Sequence, residues 1–99
     1  MILEIAQIEV KPGLEAEFEA NVIKAAPLFQ RAKGCRGLQL QRSIEKPSRY
    51  RLMVEWETMD NHLVDFRQSE DFQRWRALVG HCFESPPSVE HTQRCAAGF

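Results

Sequence analysis

The sequence predicts an α+β fold of ferredoxin-like order, β-α-β-β-α-β, with one four-stranded antiparallel sheet and both helices on one face. Three observations predict it. Four short stretches alternate apolar and polar residues at the strand period, two longer stretches carry apolar residues at the helix period, and turn-forming residues separate them in that order. Right-handed crossovers then put both helices on the same side of the sheet. At 99 residues the chain supports one hydrophobic core, so residues 1–99 are read as a single domain with no separate substrate domain.

Ile2 to Val10 forms the first strand: Ile2, Ala6, Ile8 and Val10 share one face, while Leu3 and Ile5 share the other with Gln7 and Glu9. Lys11-Pro12-Gly13 breaks it, and Leu14, Phe18, Val22, Ala25, Phe29 and Ala32 then recur at helical spacing, with Pro27 inside the helix as a source of bending. Gly34 stops the helix. Cys35 to Ile44 is the second strand, Glu45-Lys46-Pro47-Ser48 the turn, and Tyr50, Leu52, Val54 and Trp56 the apolar parity of the third. Thr58 caps a helix opening at Met59-Asp60-Asn61, Ser69 caps a continuation beyond a break, and Pro86-Pro87 ends the helical region. Ser88 to Cys95 alternates as the last strand. The sheet face away from the helices would carry Leu3, Ile5 and Met53 among Gln7, Gln39, Gln41 and Glu55; a second copy of the chain is the expected cover.

Composition excludes several function classes. Thirteen Lys+Arg against fourteen Asp+Glu leaves no positive field for binding nucleic acid. The N-terminal stretch lacks both a basic region and an unbroken apolar run, so neither a signal peptide nor a membrane partner is expected. Three widely spaced cysteines, Cys35, Cys82 and Cys95, suit a reducing cytoplasm better than a disulfide framework. Phosphate-loop, dinucleotide, zincin and zinc-ribbon motifs are all missing. His81-Cys82 and His91-x-x-x-Cys95 suggest metal ligands. Residues four apart on a strand lie about 13 Å from each other, however, against metal–ligand bonds of about 2 Å, so no metal site is expected. Cys35 and Cys82 read as small buried apolar residues, and Glu55, Glu57, Asp65 and Asp71 as solvated charges. Arg42, Arg49 and Arg51 read as a solvated hairpin end, and no serine sits in a nucleophile elbow.

What remains is Trp56 at the end of the third strand with Asn61 and His62 one turn later, placed to line one pocket between sheet and helices. A histidine at a helix N-terminus is disfavoured in its protonated form, so His62 is a candidate proton acceptor, Asn61 a hydrogen-bond donor and Trp56 a flat wall. The same pattern suits a core tryptophan, a cap histidine and a first-turn asparagine. His91 shares strand parity with Val89 and also points inwards on this reading.

Several segments together resemble the antibiotic biosynthesis monooxygenase (ABM) family: Lys11-Pro12-Gly13 before the long helix, Gly34-Cys35-Arg36-Gly37 entering the second strand, and Val54-Glu55-Trp56-Glu57 leading into the next helix. Phe66-Arg67-Gln68-Ser69-Glu70-Asp71-Phe72 and Pro86-Pro87-Ser88-Val89-Glu90-His91 extend the likeness over nearly the whole chain. The resemblance implies a dimeric α+β barrel that oxidises an aromatic substrate with O₂ and no metal or cofactor. Trp56 and Asn61 fall at positions similar to the pocket tryptophan and asparagine of such enzymes, whereas Tyr50, the only tyrosine, lies on a different segment from theirs. The haem-degrading branch is matched less well, with Phe66 where it has a tryptophan, Arg76 where it has the haem-ligating histidine and Gln7 where it has an asparagine.

The expected protein is therefore a homodimeric, cytoplasmic, cofactor-independent monooxygenase acting on a small aromatic or quinol-like compound. His62 and Asn61 are its expected catalytic residues, and Trp56, Phe66 and Tyr50 its expected substrate contacts. The alternative is a non-catalytic ligand-binding or stress-related dimer of the same fold.

Overall fold

The computed structural model describes residues 1–99 and runs β1 (Ile2–Glu9), α1 (Glu15–Gln30), β2 (Cys35–Arg42), β3 (Arg49–Trp56), a π-helical segment (Asn61–Phe66), α2 (Glu70–Val79), a 3₁₀ turn (Gly80–Cys82) and β4 (Ser88–Thr92). The four strands form one antiparallel sheet in the order β2-β3-β1-β4, the ferredoxin-like arrangement. Even positions of β1 and β3 point under the helices, where Ala6, Ile8, Leu52, Val54 and Trp56 meet Phe18, Val22, Ala25 and Phe29 of α1 and Trp75 and Val79 of α2 in one buried apolar cluster. Aromatic edges interlock there: Phe29 meets Trp75 at 5.1 Å and 82°, and Phe66 meets Phe72 at 5.7 Å and 81°. Cys82 is buried, as a small apolar residue would be, but Cys35 is only half-buried.

The elements end where their partners end. β4 stops at Thr92, short of the expected Cys95, because its only neighbour is β1 and Thr92 already pairs with Leu3 near the start of that strand. β2 stops at Arg42 rather than Ile44, since the Ser43 N–H donates to the Arg49 carbonyl and closes the turn. Val10 leaves the ladder and bridges Phe83. α1 is unbroken through Pro27, which stands only three residues from its end.

The second helical region is interrupted before Ser69, whose hydroxyl accepts from the Phe72 N–H at 3.1 Å, with Glu70 and Asp71 in the first turn. Ser69→Ala is expected to lower stability by about 1 kcal/mol, read as a fall of about 4–8 °C in thermal midpoint. α2 ends at Val79, well before the prolines. The next residues tighten into the 3₁₀ turn, which the Lys11 N–H (2.8 Å to the Cys82 carbonyl) and the Glu84 N–H (2.7 Å to the Glu9 carbonyl) pull onto the end of β1. Asp71 also ties the helices together. It receives Arg31 in a two-point ion pair, 2.7 Å at each oxygen, and Arg74 at 2.6 Å, and these cations hold its carboxyl down at about 2.

Charges at the hairpin end are spent on local pairs, Arg49 with Glu9 at 2.5 Å and Arg51 with Gln7 at 3.1 Å. No helix covers the sheet face that carries Leu3, Ile5 and Met53. No helix is long and apolar enough to cross a membrane.

Candidate functional site

A groove of about 710 Å³ opens between α2 and the β1–β4 side of the sheet. Ala6, Ile8, Leu52 and Val89 form its floor, Phe72, Trp75 and Arg76 of α2 one wall, and Phe83, Pro86 and Pro87 the other. Glu4, His62 and Arg67 close one end. The volume suits a drug-sized aromatic molecule, and the lining combines apolar walls with a few polar groups.

The polar end is built by strand parity. Glu4 occupies an inward-facing position of β1 and is 6% exposed, an ionisable group where the pattern calls for an apolar one. Across the ladder its partner on β4 is His91, so that side chain also comes to the inner face. His62 reaches the same point from the π-helical segment, whose wider turn directs it inwards, and it is 3% exposed.

The three residues form one chain of contacts. His62 Nδ1 lies 2.8 Å from His91 Nε2, and His62 Nε2 lies 3.3 Å from Glu4 Oε1. The Trp56 indole N–H donates to the same Glu4 oxygen at 2.9 Å, and the Trp56 ring stacks on the His62 imidazole at 5.4 Å and 13°. An indole only donates, so Glu4 Oε1 is an acceptor, and the proton order consistent with a carboxylate runs His91 to His62 to Glu4. That order leaves Nδ1 of His91 as the open lone pair of the chain.

Electrostatics follow from burial. Burial lowers the His62 pKa to about 4, and the Arg67 cation and His91 push it the same way, so His62 is neutral at pH 7. This replaces the helix-dipole cause expected from sequence, because the six-residue segment is too short for a dipole of weight. Burial and Arg67 lower His91 as well. Glu4 is raised by burial, with the Trp56 hydrogen bond and Arg67 acting against that rise.

The sequence-selected residues divide into two groups. His62 lines the groove, with Trp56 and Phe66 packed behind it, fully or nearly fully buried, and neither forming part of the groove wall. Asn61 is turned elsewhere. Its Oδ1 accepts from the Thr58 N–H and hydroxyl at 3.1 and 3.0 Å while its own N–H donates to Thr58 Oγ1, a capping box, and its Nδ2 donates to Asp65 at 3.1 Å. Tyr50 lies in the core between Phe18 and Arg42 and donates its hydroxyl to Glu19; it does not touch the groove. Glu4 and Arg67 also line the site, and sequence reasoning misses both. The signal for Glu4 was available, as a lone carboxylate on the apolar parity of β1. Arg67 carries none, since its place at the closed end of the groove depends on the break before α2.

Residues 1–78 match the family described as "Antibiotic biosynthesis monooxygenase". The chain belongs to this family. It is 43% identical over 94 residues, 94% of this chain and 98% of the other, to the uncharacterized protein YczJ of Bacillus subtilis (strain 168). A crystal structure from Bordetella bronchiseptica, provisionally assigned as an antibiotic biosynthesis monooxygenase, is 63% identical and superposes with a TM-score of 0.95 over 96% of this chain and 97% of that one. A variant of SnoaB, a cofactor-independent oxygenase from Streptomyces nogalater, shares the fold at a TM-score of 0.83 and 18% identity, over 98% and 95% of the two chains.

Proposed function

We propose that the protein is a cofactor-independent monooxygenase that oxidises a small, acidic aromatic or quinol-like compound with O₂. The observation that carries this reading is the Glu4–His62–His91 chain, whose Glu4 and His62 line the closed end of a largely apolar groove. Such a substrate loses a proton, and its electron-rich anion then reduces O₂. The protein needs only to accept the proton, stabilise the anion and exclude water. His91, through its open Nδ1, is the acceptor, neutral His62 relays the proton charge towards Glu4, and Arg67 and Arg76 at the groove supply positive charge for the substrate oxyanion. Trp56 and Phe66 act as positioning residues behind His62. With an anthrone-type substrate the ring methylene becomes a carbonyl; one atom of O₂ enters it and the other leaves as water, so four electrons pass from carbon to oxygen.

The oligomeric part of the reading is a homodimer closed over the helix-free sheet face, supported by Leu3, Ile5 and Met53 on that face. Light scattering at several concentrations tests it.

Oxygen uptake with a panel of anthrones and quinols tests the chemistry. Uptake that saturates with substrate, with oxygen from labelled O₂ in the product, supports it. One observation favours a second reading, a non-catalytic binding protein: both ring nitrogens of His62 already have partners within the fold. Tight binding of the same compounds with no uptake above background would select that reading.

A further inference from the structure

We propose that Glu17, His81 and Cys82 form a binding site for a divalent transition ion of the zinc type, on the outer side of the fold and away from the polar end of the groove. The three side chains come from α1 and from the 3₁₀ turn after α2, and one donor atom from each lies within 4.8 Å of the other two. Cys82 Sγ is 3.5 Å from His81 Nε2 and 3.9 Å from Glu17 Oε2, and His81 Nε2 is in direct contact with Glu17 Oε2.

These separations match the ion. Tetrahedral ligation with bonds of about 2.0 Å to nitrogen or oxygen and about 2.3 Å to sulfur puts ligand atoms about 3.3–3.7 Å apart. Two of the three edges are thus already near the required length. The third, between His81 and Glu17, has to widen, and both side chains are half-exposed and free to swing, at 52% and 50%. Thiolate, imidazole and carboxylate are the donor mixture a borderline-soft ion takes, and two of them carry negative charge that balances a dication. Three protein ligands leave a fourth position for water.

The anchor points are rigid. The Lys11 N–H holds the Cys82 carbonyl at 2.8 Å, Asn21 Nδ2 holds the Leu78 carbonyl at 2.8 Å, and Phe18, next to Glu17, is wholly buried. Burial and Glu17 raise the Cys82 thiol pKa, with Lys11 acting against that rise, so an ion has to displace the thiol proton as it binds. An ion here would clip α1 to the turn whose next residues, Phe83 and Glu84, line the groove.

Metal-free full-length protein titrated with Co²⁺ tests the site. One ion per chain is expected, with the near-ultraviolet absorption of a thiolate–cobalt bond and the visible bands of a four-coordinate ion, displaced by Zn²⁺. Cys82→Ser should abolish the thiolate band, whereas Cys95→Ser should leave it intact. His81→Ala and Glu17→Gln change exposed side chains, so they should keep the native circular dichroism and weaken binding about 10–100-fold. Zn²⁺ should raise the thermal midpoint of the parent chain at concentrations that leave that of His81→Ala unchanged. Absence of the thiolate band at saturating Co²⁺, or a band unaffected by His81→Ala and Glu17→Gln, would overturn the proposal and leave Glu17 and His81 as a plain hydrogen-bonded pair.

Discussion

His62→Gln is expected to slow O₂ uptake on any substrate the groove accepts by about 10²–10⁴-fold, the usual worth of a positioned proton-transfer group, here the relay between His91 and Glu4. Glutamine can bond Glu4 on one side and His91 on the other, so the chain of contacts is kept and the titrating ring is lost. A loss confined to substrate affinity, with the maximal rate unchanged, would mean that His62 shapes the groove and takes no proton.

The same variant makes a second, independent readout. The folded-state pKa of His62, about 4, lies below its ordinary 6.5, so the unfolded chain takes up that proton first. Stability due to neutral, buried His62 is complete above about pH 6.5 and is lost as pH falls towards 4. Glu4 works in the opposite sense: its raised pKa lets the native state bind a proton before the unfolded chain does, which relieves its burial cost in acid. His91, lowered like His62, adds to the acid loss. Comparing parent and His62→Gln isolates the His62 part. Between about pH 7 and about pH 4.5 the variant should lose about 2 kcal/mol less stability than the parent, measured by urea unfolding.

Gly34→Ala is the substitution expected to harm folding most, by about 2–4 kcal/mol, or a thermal midpoint about 8–32 °C lower. Two costs combine. Gly34 has φ +76°, where an alanine pays about 1–2 kcal/mol, and a Cβ there would lie 2.0 Å from Oδ1 and 2.3 Å from Cγ of Asn61. Asn61 cannot simply withdraw, because Thr58 and Asp65 hold both ends of its amide. Asn61→Ala in the same chain removes the overlap but not the dihedral cost. Against an Asn61→Ala background, Gly34→Ala should therefore cost only about 1–2 kcal/mol. Equal costs in both backgrounds would show that the overlap relaxes freely.

That pairing explains why Asn61 was legible as an important residue but not as the kind it is. Its position after Thr58 matched a pocket asparagine and a helix cap equally well, and only the approach of Gly34 from the previous loop distinguishes them. Trp56 shows the same limit: its parity placed it under the helices, yet whether it faces groove or core depended on where His62 landed. Tyr50 lay on the buried parity of β3, but no local pattern reveals that its hydroxyl is taken by Glu19 of α1, 31 residues away in the chain.

The sequence by itself determined the element order, the sheet and the inward faces, because strand and helix periods are local and each apolar stripe has to be buried somewhere. It also determined that the second helical region breaks before Ser69, through a cap that needs only four consecutive residues. Tertiary structure alone decided which polar side chains meet. Glu4, His62 and His91 stand far apart in the chain and meet because antiparallel register sets His91 opposite Glu4 while a π turn swings His62 onto them. Glu17 reaches His81 and Cys82 in the same way, across more than sixty residues of chain. Side-chain convergence is set by the packing of elements against one another, and no pattern read along one element carries that distance.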